Sequence, residues 1–569
     1  MSVVTTFSVR EIPFSFGGSW FGISPVIAER TRADDLHLVS HRNGMHPILR
    51  FETRSADGPV GATVTASATR LRWTHRGGSI DLVYETADTI RLRGTGLGLR
   101  IAAAAPVLTP FSGTYLFRDP RDESLVFTSY ETGRRYRVTV LTGIPHTSAG
   151  VGLLGAGDRH LELSGSAPWE VAIEEYATSR DPYQSPATFD EVARQADDEF
   201  RRYLETVAPW RSSRTPAAEL ATYVIWSATV APGGFLTRPA VLMSKHWMDK
   251  VWSWDHCFNA LALAAGDPGL AWHQFQLPFD HQDPTGALPD SVTHSEVLYN
   301  FVKPPIHGWA FARLRLHLPE PLERQQLTET YQRLSRWTTF WLTQRRRPGR
   351  PLPHYQHGND SGWDNATTFD AGRVLETADL AAFLVIQLRE LGTLAAELGD
   401  AAAAAQWRDT AEEMRAALLS ELWDGSRFRA RDPRTGATHH STSLLALMPI
   451  TLGADLPADI RTSLAAALKA HLTPHGLATE PVGSELYAAD GYWRGPIWAP
   501  ATLLIEDGLR RAGHIDLADD ISSRFRRLCE TSGFAENFDA DTGAGLRDRA
   551  YTWTAAAYLI LAAAEHQRT

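Results

Sequence analysis

Two kinds of periodicity divide the chain. From residue 1 to about 185, apolar and polar positions alternate in short segments: GATVTASATRLRWTH, SIDLVYET, TIRLRGTG, ESLVFTSYE, YRVTVLTG and HLELSG. β-branched and aromatic residues dominate them, and Gly, Asp or Pro interrupts every ~8 to 15 residues, as strands and turns require. The spacing predicts an antiparallel β-sandwich over residues 1–185. Near residue 187 the period changes. ATFDEVARQADDEFRRYLETV is an amphipathic helix, which predicts a helical linker over 186–214. Helical segments then recur through 215–569, alternating between nearly all-apolar ones such as TWTAAAYLILAAAEH and strongly amphipathic ones such as IDLADDISSRFRRLCETSG. Buried inner and half-buried outer helices would produce this alternation. No short consensus repeat points to a solenoid. The expected architecture is therefore multi-domain: the sandwich, then an all-α (α/α)6 barrel whose inner-helix ends present their loops on one face.

Composition narrows the function classes. At 569 residues the chain is too long for one core. A formal charge of -10 argues against a nucleic-acid partner, which needs a basic face. No apolar run is long enough for a membrane span. The opening MSVVTTFSVREIPFSF lacks the basic and apolar regions of a signal peptide, so a reduced, cytoplasmic protein is expected. Cys257 and Cys529, the only cysteines, are too few for a disulfide framework or a zinc site. Neither metal nor cofactor is expected. The glycines of GVGLLG (Gly150, Gly152, Gly155) match a dinucleotide fingerprint, but the residues after them read as a strand rather than a phosphate-binding helix.

The unusual residues fall between the helices. KHWMDKVWSWDHCF holds Trp252, Trp254 and Asp255. Rings stack on the C–H face of a polyol and a carboxylate accepts from its hydroxyls, although Asp255 could equally N-cap the following helix. HQDPTGALPDSV and VKPPIHGW offer Gln282, Asp283 and Lys303 as ligand contacts, or as turn residues and surface charge. HGNDSGWDNATTFD carries Asp360, a candidate substrate contact, with Asp364 and Asp370, and Trp363 beside Asp364 as a candidate apolar wall. Such a wall raises a carboxyl pKa toward that of a general acid. DGYWRGPIWAP adds Trp493, Arg494 and Trp498. GFAENFDADTGAG supplies Glu536, with Tyr551 and Trp553 just beyond it; its Asp539 and Asp541 do not complete a calcium loop and read as a turn. HExxH, the P-loop and GxSxG are all missing. Two carboxylates among tryptophans over one barrel mouth suit acetal hydrolysis, in which one acid protonates the leaving oxygen and a second carboxylate attacks or activates water.

In order and spacing, WSWDHCF, VKPPIHG, NDSGWDNA, GYWRGPIW and AENFDADTGAG with YTWT resemble the motifs of the inverting (α/α)6-barrel glycosidases. That clan contains the trehalases and the processing α-glucosidases, glycoside hydrolase families 37 and 63. The resemblance covers residues 215–569 and implies Asp364 as general acid and Glu536 as general base. It further implies that Trp252 and Asp255 hold the sugar at the cleaved bond and that Trp493 is a subsite aromatic. Lys303 stands where the clan usually has glutamine, and Asp360 where it has glutamate; Lys303 would bond a hydroxyl or pair with an acidic substrate group. The expected function is an inverting, exo-acting α-glycosidase on a carbohydrate substrate, in the first instance an α-glucosidase on a small gluco-oligosaccharide or glucoside. The alternatives are a hydrolase of an anionic glycoside such as glucosyl- or mannosylglycerate, an inverting glycoside phosphorylase, and a non-catalytic sugar-binding protein.

Overall fold

The computed structural model describes residues 5–28, 30–148 and 154–568. The chain forms two compact units. One comprises Met1–Pro209, Thr222–Lys250 and Thr293–Glu296; the other Trp210–Ala221, Val251–Val292 and Val297–Thr569.

Among its described residues the first unit holds a nine-stranded and a seven-stranded sheet, and their strand pairs are antiparallel. Alternation becomes burial as expected. In Leu71–His75, for example, Leu71 and Trp73 face the core while Thr74 is exposed. The helix Phe189–Val207, expected as a linker, belongs to this unit. A capping box between Thr188 and Glu191 starts it, and Phe189, Val192 and Ala193 pack on Val83 of a strand. Of the GVGLLG segment, Gly150 and Gly152 lie outside the described residues. His160–Leu163, beyond it, is a strand, as its alternation requires.

The second unit is the (α/α)6 barrel. Its inner wall runs Asp255–Leu263, His307–His317, Ala378–Glu397, Leu444–Asp455, Ala499–Arg511 and Thr552–Arg568, each touching the next and the last closing on the first. Inner members are buried almost all round: Thr552 to Leu559 has no exposed residue. Outer helices such as Ala401–Ala417 and Ile515–Ser532 bury one stripe only. One inner member departs from expectation. Leu444–Asp455 is 3-10 rather than α-helical, because Pro449 lacks an N–H to donate and Gly453, at φ 61, leaves helical space.

This ring explains how distant motifs meet. WSWD, VKPPI, GYWRGPIW and the segment from Glu536 to Tyr551 each end at the start of an inner element, and NDSGWDNA leads to Ala378. Each outer helix returns the chain, so the inner elements run the same way and their leading loops gather at one mouth. Among the described residues no helix is long and apolar enough to cross a membrane, and no group of three or more His, Cys, Asp or Glu could hold a metal ion.

Candidate active site

The HGNDSGWDNATTFD loop is shaped by two glycines and one buried carboxylate. Gly362 adopts φ 72, and a Cβ there would lie 2.6 Å from the Trp254 ring, so only glycine fits. A Cβ on Gly358 would meet the Asp364 carbonyl oxygen at 2.2 Å. Asp360, expected as a substrate contact, instead accepts from the backbone N–H of Val302 (3.1 Å) and of Gln356 (2.8 Å) and pairs with Arg345 (2.7 Å). Its oxygens are fully engaged in tying the loop down.

Asp364 emerges beside this knot with 29% of its side chain exposed. Burial raises its pKa above the ordinary carboxyl range, opposed by the Lys303 ammonium 3.9 Å away. Lys303 is itself buried. It pairs with Asp290 (3.1 Å) and donates to the Asn359 carbonyl (3.2 Å), and its ammonium lies 5.2 Å from the centre of the Trp252 ring. Burial alone would push this lysine down, but Asp364, Asp290 and Asp255 outweigh it and hold the pKa above its usual value. The expected pairing with an acidic substrate group is thereby corrected: the charge is already balanced by carboxylates of the chain.

Asp255 is the first residue of its helix rather than its cap, which is Trp254. It is 3% exposed, and its Oδ2 has no hydrogen-bond partner. Burial pushes its pKa up strongly, with Lys303 opposing. Glu536 is 1% exposed. Its Oε1 accepts from the Tyr492 hydroxyl at 3.0 Å, and its Oε2 is unpartnered. Burial, reinforced by the neighbouring Asp548 carboxylate, raises its pKa to about 8 against the counter-effect of Tyr492. Orphaned buried oxygens on Asp255 and Glu536 are a cost that a bound polar ligand would relieve.

Behind the carboxylates five tryptophans form a continuous chain. Trp363 and Trp493 lie 4.6 Å apart, Trp493 and Trp498 stack at 3.9 Å and 6°, and Trp498 meets Trp553 edge-on at 5.4 Å. Trp553 meets Trp254 at 5.9 Å. All five are buried. Trp254, Trp493, Trp498 and Trp553, expected as sugar contacts, instead cover one another, and with Trp363, expected as an apolar wall, they make one rigid apolar wall. Trp252, half-buried under Lys303, keeps accessible ring surface.

Three further expectations are corrected. Gln282 donates to the carbonyls of Gly286 (2.8 Å) and Arg333 (3.1 Å), and Asp283 accepts from Thr285 (2.7 Å) and Ala287 N–H (2.9 Å), so both build a turn. Arg494 forms a two-pronged pair with Asp370 at 2.8 Å in each arm. The structure also adds Tyr492, Asp290, Asp548 and Asn365, none of which stood out in the sequence. Each lies in or next to a segment already notable for its tryptophans and carboxylates, but nothing in its type or spacing singled it out.

The mannosylglycerate hydrolase MGH1-like glycoside hydrolase domain matches residues 248–554, which contain every group of this cluster. A mannosylglycerate hydrolase of Rubrobacter radiotolerans is 28% identical across 57% of this chain and 92% of its own length. A periplasmic trehalase of Salmonella agona is 28% identical over 33% of this chain and 35% of its own length. Among solved structures, the GH63 mannosylglycerate hydrolase of Thermus thermophilus, in complex with glucose, aligns with a TM-score of 0.54 at 20% identity, covering 61% of this chain and 99% of its own. A bacterial glucoamylase complexed with acarbose aligns at 0.66 and 12% identity over 100% of this chain and 95% of its own. At these identities the structural likenesses speak to the fold.

Proposed function

We propose, from the premise that this chain belongs to the mannosylglycerate hydrolase MGH1-like glycoside hydrolase family, that it hydrolyses the α-glycosidic bond of a small anionic glycoside of the mannosylglycerate or glucosylglycerate kind, with inversion. The carrying observation is the relative matched along nearly its whole length, a mannosylglycerate hydrolase. It favours a glycosyl glycerate over the gluco-oligosaccharide first expected. That the protein is a glycosidase acting on carbohydrate follows from the family itself.

The chemistry assigns one task to each carboxyl. Asp364, protonated, gives its proton to the glycosidic oxygen as the bond to the anomeric carbon breaks and the hydroxy acid leaves. Glu536, ionised, takes a proton from water, whose oxygen bonds to the anomeric carbon from the opposite face. An α-glycoside thus yields the β-sugar, and both carboxyls return to their starting states by exchange with solvent. Trp252 supplies a partly open ring for the sugar, and Asp255 an oxygen free to bond one of its hydroxyls.

Two measurements test this reading. Mannosylglycerate and glucosylglycerate are hydrolysed faster than trehalose and maltose, and proton NMR of the first product shows the β-anomer. Preferred turnover of trehalose or maltose rejects the glycerate assignment, an α-anomer rejects inversion, and release of a sugar 1-phosphate only with phosphate present makes the protein a phosphorylase. The second measurement concerns pH. On an α-glycosyl fluoride, whose leaving group needs little protonation, kcat/KM reports the base alone. It rises with pH through one limb near the Glu536 value of about 8. A plateau already complete at about pH 6 contradicts Glu536 as the base.

A further inference from the structure

The acid and the base of this site lie on loops far apart in the chain, and an inverting reaction depends on the gap between them because water must fit there. Asn365 reaches from the acid loop to a third loop, GYWRGPIW, whose Tyr492 touches the base. Asn365 directly follows Asp364; its Oδ1 accepts from the backbone N–H of Trp493 at 3.0 Å, and its Nδ2 donates to the carbonyl of Gly491 at 3.0 Å. The residue between those two contacts is Tyr492, whose hydroxyl donates to Glu536 at 3.0 Å.

Tyr492 is held in an unfavourable shape. Its φ of 65 lies in the left-handed region, where a Cβ is crowded. Glycine would adopt this conformation freely, so a tyrosine here is explained by what its side chain does. The surroundings maintain it. The Tyr492 carbonyl accepts from Trp498 Nε1 at 2.9 Å, and Trp498 meets its ring edge-on at 4.9 Å. The Arg547 guanidinium lies 4.9 Å from the ring centre, and Arg547 is itself left-handed at φ 59. Arg494 donates to the Asn365 carbonyl at 3.4 Å while pairing with Asp370, which braces the other end of the clamp.

We propose that Asn365 is a positioning residue that couples the acid loop to the base: by gripping the backbone on both sides of Tyr492, it holds the tyrosine hydroxyl on Glu536. The inference rests on the reading of Glu536 as general base. Asn365 touches no reacting atom in this scheme, and it acts through Tyr492 alone. That gives it a distinctive signature, because a hydrogen bond donated to a carboxylate favours the ionised form, and the donor is lost whether the hydroxyl is removed or merely displaced.

The test follows the titration of Glu536 in full-length protein carrying carboxyl-13C glutamate, its resonance assigned as the one absent from Glu536→Gln. Tyr492→Phe moves the midpoint up by roughly one pH unit, the scale of one charge-assisted hydrogen bond. Asn365→Ala moves it in the same direction, and Tyr492→Phe with Asn365→Ala moves it no further than Tyr492→Phe alone. Asn365 is exposed, and Asn365→Ser provides a second, polar truncation if the alanine variant does not fold. An unshifted midpoint in the folded Asn365 variants, or shifts that add in the double variant, overturns the proposal. Turnover of an α-glycosyl fluoride by Glu536→Gln separates the two readings: retained turnover removes Glu536 as base, whereas the clamp stands or falls on the titration.

Discussion

Asp364→Asn is expected to lose about 10²–10⁴-fold in kcat on a glycosyl glycerate, the range of a general acid's contribution, and to retain most of its rate on the α-glycosyl fluoride. The amide cannot deliver a proton to a departing alkoxide, but fluoride leaves with little help. Glu536→Gln should lose a comparable factor on both substrates, because water must be deprotonated whatever leaves. The contrast between substrates distinguishes the two roles, which a simple loss of activity does not. Equal losses for Asp364→Asn on both substrates would remove it as the acid. The stability of Glu536→Gln provides an independent check. The Glu536 pKa rises from 4.5 in the unfolded chain to about 8 in the fold, so the folded state binds the extra proton and its stability falls as pH rises across that interval. Glutamine removes the titration. The variant is therefore expected to gain on the order of 4 kcal/mol over the parent above pH 8, and little at pH 5, as read by urea unfolding at the two values. A site that is costly to fold and improved by deleting its charge is what function, rather than packing, would maintain.

The barrel was legible because its determinants are periodic. An inner helix is apolar on every side and an outer helix on one, and both patterns survive in a single sequence. Asp364 and Glu536 are proposed as acid and base for a different reason: they stand at defined places in motifs that resemble those of a known clan. The aromatics were misread by the same route. Trp493 and Trp498 are five residues apart, and nothing in that spacing says that they stack at 3.9 Å and hide one another. Asp360 looked like a ligand contact because a carboxylate in a polar loop has no visible partner. Its partners, Arg345 and the Val302 N–H, come from other segments. Tyr492 shows the deepest limit. Its role depends on a left-handed backbone and on Asn365 across the mouth, and neither leaves a local trace.

Lys303→Met is expected to be the most damaging single change to the fold of the site. The lysine is buried with Asp290 at 3.1 Å and Asp364 at 3.9 Å, and Asp255 also feels its charge. Removing one partner from a buried ionic cluster leaves charge without compensation and costs about 3–5 kcal/mol, far more than the pairing contributes in isolation. The sign of its pH dependence follows from the carboxyls left behind. Without the cation the folded pKa values of Asp364 and Asp255, already raised, rise further, so the variant is least destabilised at acid pH, where they are protonated, and progressively more as pH rises through those values. Unfolding in urea at pH 5 and pH 7.5 should show the larger deficit at the higher pH; an equal deficit at both would mean that lost packing, not lost charge, is responsible. Glutamine, the residue usual at this place in the clan, can still donate to Asp290 but supplies no charge. Lys303→Gln should therefore show the same pH trend with a smaller deficit. It should also raise the Asp364 pKa, read as the titration midpoint of its carboxyl-13C resonance, since the ammonium is what restrains it. The lysine thus trades acid strength against the cost of holding three carboxyls together, and a variant in which that midpoint fails to move would show that Asp364 is tuned by burial alone.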